Sequence, residues 1–319
     1  MPVVDSEILE LTLAGIKTEV DAAYVLANPM ARWPLIATEM PTTLPTQNYA
    51  WLGRGAVMKQ WKDRAIAQGV FQATMALSDL TWVAELDIDR QTLEDDQYGL
   101  LMKRAAELGS EPVRHWDELA YQGLANGFTS ICSDGADFFS ASHSQSNSGT
   151  QSNITSSPLS DQALQTAEQT MGSLLDDQGK PLGVKPNVLV VGPAKSRLAA
   201  DLTDSDVVVH VPGDGSVSTG ATAYTPYSNY FKGRYRVVVS EYLINGAAGN
   251  FANNWFLLDS SRAVKPLIMQ SRSDVPITYE TDLLEPAARM KGEFKFQIRG
   301  RYVQGYGLWQ LAYGSNATS

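Results

Sequence analysis

The chain has 319 residues, 44% of them hydrophobic and 19% charged, with a formal net charge of −10. That length can bury a hydrophobic core without covalent staples, and the composition is that of a soluble globular protein. The acidic balance, with no cluster of Lys and Arg, argues against coating by nucleic acid through counterion release, the single cysteine, Cys132, excludes an intrachain disulfide, and no apolar run reaches the roughly 20 residues of a membrane span.

Residues 1–45 begin acidic, with no basic leader over Met1–Glu10. Ile8, Leu9, Leu11, Leu13 and Ile16 can line a short helix that Gly15 weakens. Pro29, Pro34, Pro41 and Pro45 then predict an extended tail. Residues 48–90 read as two β segments around a basic, aromatic middle. Trp82, Ala84, Leu86 and Ile88 fall on alternate positions, the period of a half-buried strand. A hairpin of this kind is marginal alone in water, so Trp51, Trp61 and Trp82 need a surface to cover.

Residues 92–126 predict helix. Thr92 can cap it, and Leu93, Leu101, Ala105 and Leu108 share a face. Gly109 and Pro112 predict an interruption, with a second helix from Val113 ending at Asn126-Gly127. The serine-rich stretch 140–157 reads as a polar loop. A compact α/β pattern follows. A helical stripe of Leu159, Ala163, Ala167, Met171 and Leu174 starts after Ser157-Pro158. Asp176–Lys180 is a turn, Val188–Val191 a buried strand, Pro193–Leu202 a second helix, 212–233 a long loop and Tyr235–Val239 another strand. Finally, Asp259-Ser-Ser-Arg262 separates Trp255–Leu258 from Val264–Met269, which predicts paired strands. Phe294, Phe296 and Ile298 alternate with polar residues in a long strand, and Leu308–Tyr313 closes the chain with a further apolar segment.

Little here is catalytic equipment. His143 follows Cys132, Asp134 and Asp137, so a metal site or a Cys/His hydrolytic site is one reading. A polar loop histidine is the other, since no second His or Cys lies at ligand spacing. Gly213–Gly220 lacks the Gly-Lys-Ser/Thr ending of a phosphate loop. The pairs Asp95-Asp96 and Asp176-Asp177 read as solvated acids at a helix start and in a turn. No metal, cofactor or catalytic residue is assigned. Aromatic residues are more informative. Trp33, Trp51, Trp61, Tyr227 and Tyr230 lie in segments that read as extended, and such residues anchor subunit contacts. Trp116 and Trp309 read as core.

Several motifs resemble the major head subunits of Mu-like phages and prophages. They are Asn48-Tyr-Ala-Trp-Leu-Gly53, Leu93-Glu-Asp-Asp96, Asn126-Gly-Phe128, Asp134-Gly-Ala-Asp-Phe-Phe139 with His143, Leu258–Ile268 and Gly305–Tyr313. The resemblance runs in order from about Asn48 to Gly314. It implies an α+β major capsid protein of the Hong Kong 97-like fold, with an N-terminal arm (1–46), an E-loop hairpin (47–91), a peripheral domain with a spine helix (92–149), an axial α/β domain (150–250) and return strands completing the peripheral domain (251–319). It implies self-assembly into hexamers and pentamers that close an icosahedral head around double-stranded DNA, contacted non-specifically. Scaffold and portal proteins, and a decoration protein, are the other implied partners, with no membrane. The implied location is the virion, after assembly in the host cytoplasm. On this reading Trp51, Trp61 and the hairpin rest on a neighbouring copy, and Lys59, Lys62 and Arg64 face its carboxylates. Loop 212–233 lies at the centre of the capsomer. The competing readings are a hydrolase using Cys132 and His143, and a tail or decoration component.

Overall fold

The computed structural model describes residues 6–52, 72–89, 99–144, 148–210, 225–246, 249–273, 277–280 and 293–317. In chain order the elements are α1 (Ser6–Ala27), β1 (Ala37–Pro41), β2 (Thr46–Leu52), β3 (Gln72–Ser78), β4 (Leu80–Asp89), α2 (Leu100–Asn126), β5 (His143–Ser144), β6 (Thr150–Gln151) and β7 (Ile154–Thr155). Then come α3 (Asp161–Ser173), β8 (Val188–Val191), α4 (Ser196–Asp204), β9 (Val207–His210), β10 (Thr225–Ser228), β11 (Arg236–Val239), β12 (Asn245–Gly246) and β13 (Gly249–Asn250). The chain closes with β14 (Trp255–Leu258), β15 (Leu267–Ser273), β16 (Ile277–Glu280), β17 (Glu293–Tyr306) and β18 (Ala312–Ser315).

Two sheets organise the molecule. The first is built on β17, the longest strand. One of its edges pairs antiparallel with β4, from Glu293↔Asp89 to Tyr302↔Leu80. Its other edge pairs with β16 and then with β15, and β1 adds parallel to β15. Period 2 sends Ala84, Leu86, Ile88, Phe296 and Ile298 to one face, where α1 and α2 cover them with Ile16, Val20, Leu101, Ala105 and Leu108. Thr81, Val83, Glu85 and Asp87 take the opposite, exposed face. There Lys295 bridges Glu85 at 2.8 Å and Asp87 at 3.6 Å.

The second sheet has the order β11-β8-β14-β18-β7. Val188–Val191 and Trp255–Leu258 show no alternation because both of their faces are buried. Val188, Val190, Phe256 and Leu258 point into a core shared with α2, Phe138, Phe139 and the first sheet. Leu189, Val191, Trp255 and Leu257 point into a second core roofed by α3 and α4. Segment 251–319 is thus divided: β15, β16 and β17 lie in the first sheet, whereas β14 and β18 lie in the second. The division at residue 250 is not a sheet boundary.

Several sequence expectations are corrected. The first helix is long, 22 residues, and docks on α2 of its own chain. Pro29 and Pro34 do not hold the chain extended. Each sits at the start of a 3-10 turn, Asn28–Met30 and Trp33–Leu35, where its missing N–H costs nothing. The expected break at Gly109 and Pro112 is absent, since α2 runs on through Pro112 to Asn126. Gly109 serves a different purpose: a Cβ there would lie 2.3 Å from the Val20 carbonyl oxygen, so its bareness lets α1 approach. The cap of α3 is Ser160, whose side chain accepts the Ala163 N–H, and not Ser157. The expected pairing of Trp255–Leu258 with Val264–Met269 does not occur, because the turn between them carries the chain from the second sheet to the first. Buried Asp259 shapes that turn by accepting from the Ser261 N–H and hydroxyl and from the Lys185 N–H. Thr92 and the pair Asp95-Asp96 lie outside the described residues.

Candidate functional site: assembly surfaces and a buried polar cluster

The expected contact residues are spread over the molecule. Trp51 stands in the hairpin β2–β3, in register with Ala73. Of the hairpin side chains, Tyr49 donates its hydroxyl to Gln270 Oε1 at 3.0 Å, which ties the hairpin base to the first sheet. Lys59, Trp61, Lys62 and Arg64 lie outside the described residues, as does most of loop 212–233. Tyr227 pairs in register with Val208 across β10 and β9. Tyr230 is exposed, with the Arg234 guanidinium 4.1 Å from its ring centre. Arg234 also reaches Glu168 of α3 at 3.0 Å.

Trp33 is half-buried against Trp116, with ring centres 5.0 Å apart. Its backbone is held by a hub that spacing did not reveal. Asp117, buried on α2, accepts the N–H groups of Arg32 and Trp33. The Arg32 side chain donates to the Val239 carbonyl and pairs with Glu241 beyond β11. Burial pushes the Asp117 carboxyl up from its usual value, against the opposing pull of those two N–H groups and the guanidinium. The hub ties the exit of α1 to α2 and to the second sheet. Its members are separated by more than eighty residues in sequence, and a lone Asp on a helix carries no signal of it.

Trp82 finds its cover within the chain. Its indole N–H donates to the Tyr302 carbonyl, and its ring lies 4.4 Å from His115. Trp82, Glu111, Pro112, His115, Gly300 and Tyr302 border a cavity of about 110 Å³. Burial pushes the His115 imidazole below its usual value.

Among the described residues of 140–157, three do not fit a solvated loop, although others there are exposed. His143 and Asn153 are fully buried and Ser148 is buried. Asn153 Nδ2 donates to the carbonyls of Phe138, Trp309 and Ala312. Its Oδ1 accepts the Ser140 N–H at 2.8 Å and faces His143 Nε2 at 3.1 Å. His143 Nδ1 lies 2.7 Å from Asp134 Oδ2, and the ring stacks on Trp309 with centres 3.9 Å apart. His143 and Asn153 therefore satisfy each other and the backbone inside the protein. Asp176 and Asp177, expected to be solvated, are also buried, with Asp176 closing its turn by accepting from the N–H groups of Gln178 and Lys180.

Cys132, Asp134 and His143 do come together, with candidate ligand atoms within 4.8 Å of one another. Their bonding does not make a nucleophile. The thiol donates to Asp134 Oδ1 at 2.9 Å and makes no bond to the imidazole. Burial, reinforced by the Asp134 bond, pushes the thiol up to about 12, so it stays protonated at neutral pH. Burial would also raise Asp134, but the bonds from His143 and Cys132 hold it below the usual carboxylate range. Separations of 2.7 and 2.9 Å are hydrogen-bond distances. Two donors sharing one tetrahedral zinc ion at 2.0–2.3 Å each would stand roughly 3.4 Å apart. The cluster is a hydrogen-bonded clasp.

The chain matches the family described as Mu-like prophage major head subunit gpT over residues 9–158, 155–243 and 229–318. It is 24% identical over 288 residues to the Mu-like prophage FluMu major head subunit of Haemophilus influenzae, covering 90% of this chain and 67% of that protein. It is 23% identical over 287 residues to the major capsid protein of Escherichia phage Mu, with the same coverage. Among solved structures, it superposes on a chain of the bacteriophage JBD30 procapsid with a TM-score of 0.52 and 22% identity, covering 96% of this chain and 75% of that one.

Proposed function

The chain belongs to the family of Mu-like prophage major head subunits, and from that premise we propose how its surfaces build a shell. Its fold class is α+β, the Hong Kong 97-like capsid fold. It is the major capsid protein of a tailed phage, a virion component that associates with its own copies, and not an enzyme. Among the described residues no helix is long and apolar enough to cross a membrane. The observation that carries the reading is the family match, which extends from residue 9 to residue 318.

Copies assemble first into hexamers and pentamers and then into a closed icosahedral head around double-stranded DNA. Each contact can be weak, because closure makes many of them act together. The hairpin 47–91 supplies one contact. Trp51 and Trp61 lie on an adjacent copy, and Lys59, Lys62 and Arg64 face carboxylates there, setting register more than affinity. Trp33, Tyr227 and Tyr230 serve further contacts, and loop 212–233 lies near the local symmetry axis. The exposed Tyr230–Arg234 pair supports a contact on that side, since stacked Tyr and Arg are favoured anchors. Scaffold and portal proteins, and a decoration protein, are the further partners, and DNA is held without sequence preference. Before assembly the chain resides in the host cytoplasm.

Electron microscopy of the purified protein tests the shell reading. Closed particles are expected, eluting in the void volume on size-exclusion chromatography. Deleting residues 58–66 is expected to leave soluble monomers or capsomers, and normal shells from that variant would refute the hairpin contact.

A further inference from the structure

Asn153 fixes the proton count of its neighbour. Its amide nitrogen is committed to three carbonyls and its oxygen to the Ser140 N–H. Reversing the amide would set an oxygen against three oxygens and an N–H against an N–H, so Oδ1 can only accept. His143 Nε2, 3.1 Å away, must therefore carry a hydrogen. On the opposite side of the ring, Nδ1 faces Asp134 Oδ2 at 2.7 Å. The other oxygen of that carboxyl already accepts the Cys132 thiol and the Ala136 N–H, two donors that favour its ionised form. An unprotonated Nδ1 would place a lone pair against a carboxylate. A proton must lie between them, since the short separation leaves no room for a metal ion, and the two donors on Oδ1 favour its place on the ring.

We infer that His143 is held as an imidazolium, donating from both ring nitrogens to Asp134 and Asn153, in a fully buried ion pair stacked on Trp309. The stacking suits this charge, because the face of an indole attracts a cation. The pair joins three separate parts of the chain: the turn carrying Cys132 and Asp134, the stretch carrying His143 and Asn153, and the 3-10 turn at Trp309. It replaces the expected loop histidine, metal ligand or catalytic base by a charged fastener. The inference does not depend on how copies assemble.

The test is solid-state nitrogen NMR of the purified, sedimented protein labelled only at histidine. The chain has three histidines, so the His115→Gln and His210→Gln variants assign the spectrum by subtraction. The expected result at neutral pH is that both His143 nitrogens carry a directly bonded proton, and that Asp134→Asn converts one of them to an unprotonated nitrogen. An unprotonated nitrogen in the unsubstituted protein would overturn the inference. So would stoichiometric zinc in the purified protein that is lost on Cys132→Ala.

Discussion

At Asn153 a single side chain makes five hydrogen bonds, and its two ends are not interchangeable. Asn153→Asp keeps the shape but turns an acceptor toward three carbonyls. A loss of about 3 kcal/mol or more is expected in urea unfolding, despite near-identical volume. His143→Gln removes the charge opposite Asp134, and a loss of about 3–5 kcal/mol is expected, the range for breaking one half of a buried pair. The pH dependence has a definite sign. Asp134 is depressed in the folded protein, so its contribution is present above its unfolded value of ~3.9 and is lost as pH falls through the lower folded value. Asp134→Asn is expected to reduce stability at neutral pH, with the gap to the unsubstituted protein closing below about pH 4. Unfolding curves at several pH values check this, and a gap that stays constant into acid contradicts it. None of this was legible in composition. A run rich in Ser, Asn, Gln and Thr resembles solvated chain, and only the fold reveals that Ser140, His143 and Asn153 are consumed by one another and by the backbone.

Contact between elements can reverse the sign that local propensity assigns. Ala is normally better than Gly inside a helix by about 1 kcal/mol. At Gly172 of α3 an added Cβ meets nothing within 4 Å, so Gly172→Ala is expected to stabilise by about 0.5–1 kcal/mol. At Gly109 of α2 the same methyl meets the Val20 backbone, so Gly109→Ala is expected to destabilise by about 1–3 kcal/mol as α1 is pushed away. Paired thermal melts check both signs. Local sequence does not show this role of Gly109, which belongs to α1, nearly ninety residues earlier. Pro112 does not end the helix, because losing one backbone bond does not break a helix buried along this flank. Local signals are legible in the sequence. The alternation in β4 and β17, the unbroken apolar runs of β8 and β14, and the end of α2 at Asn126 needed no distant partner. Local composition marks Asp259–Arg262 as a turn, but pairing with β8, β18 and β17 decides which strands it serves.

Across the whole molecule, the two sheets and their helices are fastened together by the Arg32–Asp117–Glu241 hub and by the core that β8, β14, β15, β17 and α2 share. Asp117→Ala would leave the backbone N–H groups of Arg32 and Trp33 without their acceptor, while the guanidinium keeps Glu241 and the Val239 carbonyl. It is expected to lower the melting temperature by several degrees, the effect of about 2–3 kcal/mol, and to reduce the yield of closed particles seen by electron microscopy. Several motifs of the family resemblance fall in the framework, in Asn126–Phe128, Asp134–Phe139 and Leu258–Ile268, whereas Asn48–Leu52 lies in the hairpin. The assembly contacts were legible only as a supply of aromatic and basic residues, since a contact surface is defined by what lies against it.

One sheet that lines two interiors also divides the genetics of this chain by parity. Along β8 and β14, even-numbered positions answer to α2 and odd-numbered positions to α3 and α4. Second-site suppressors of a lesion at Val190 or Phe256 should map to one set of helices, and suppressors of a lesion at the adjacent Leu189 or Leu257 to the other.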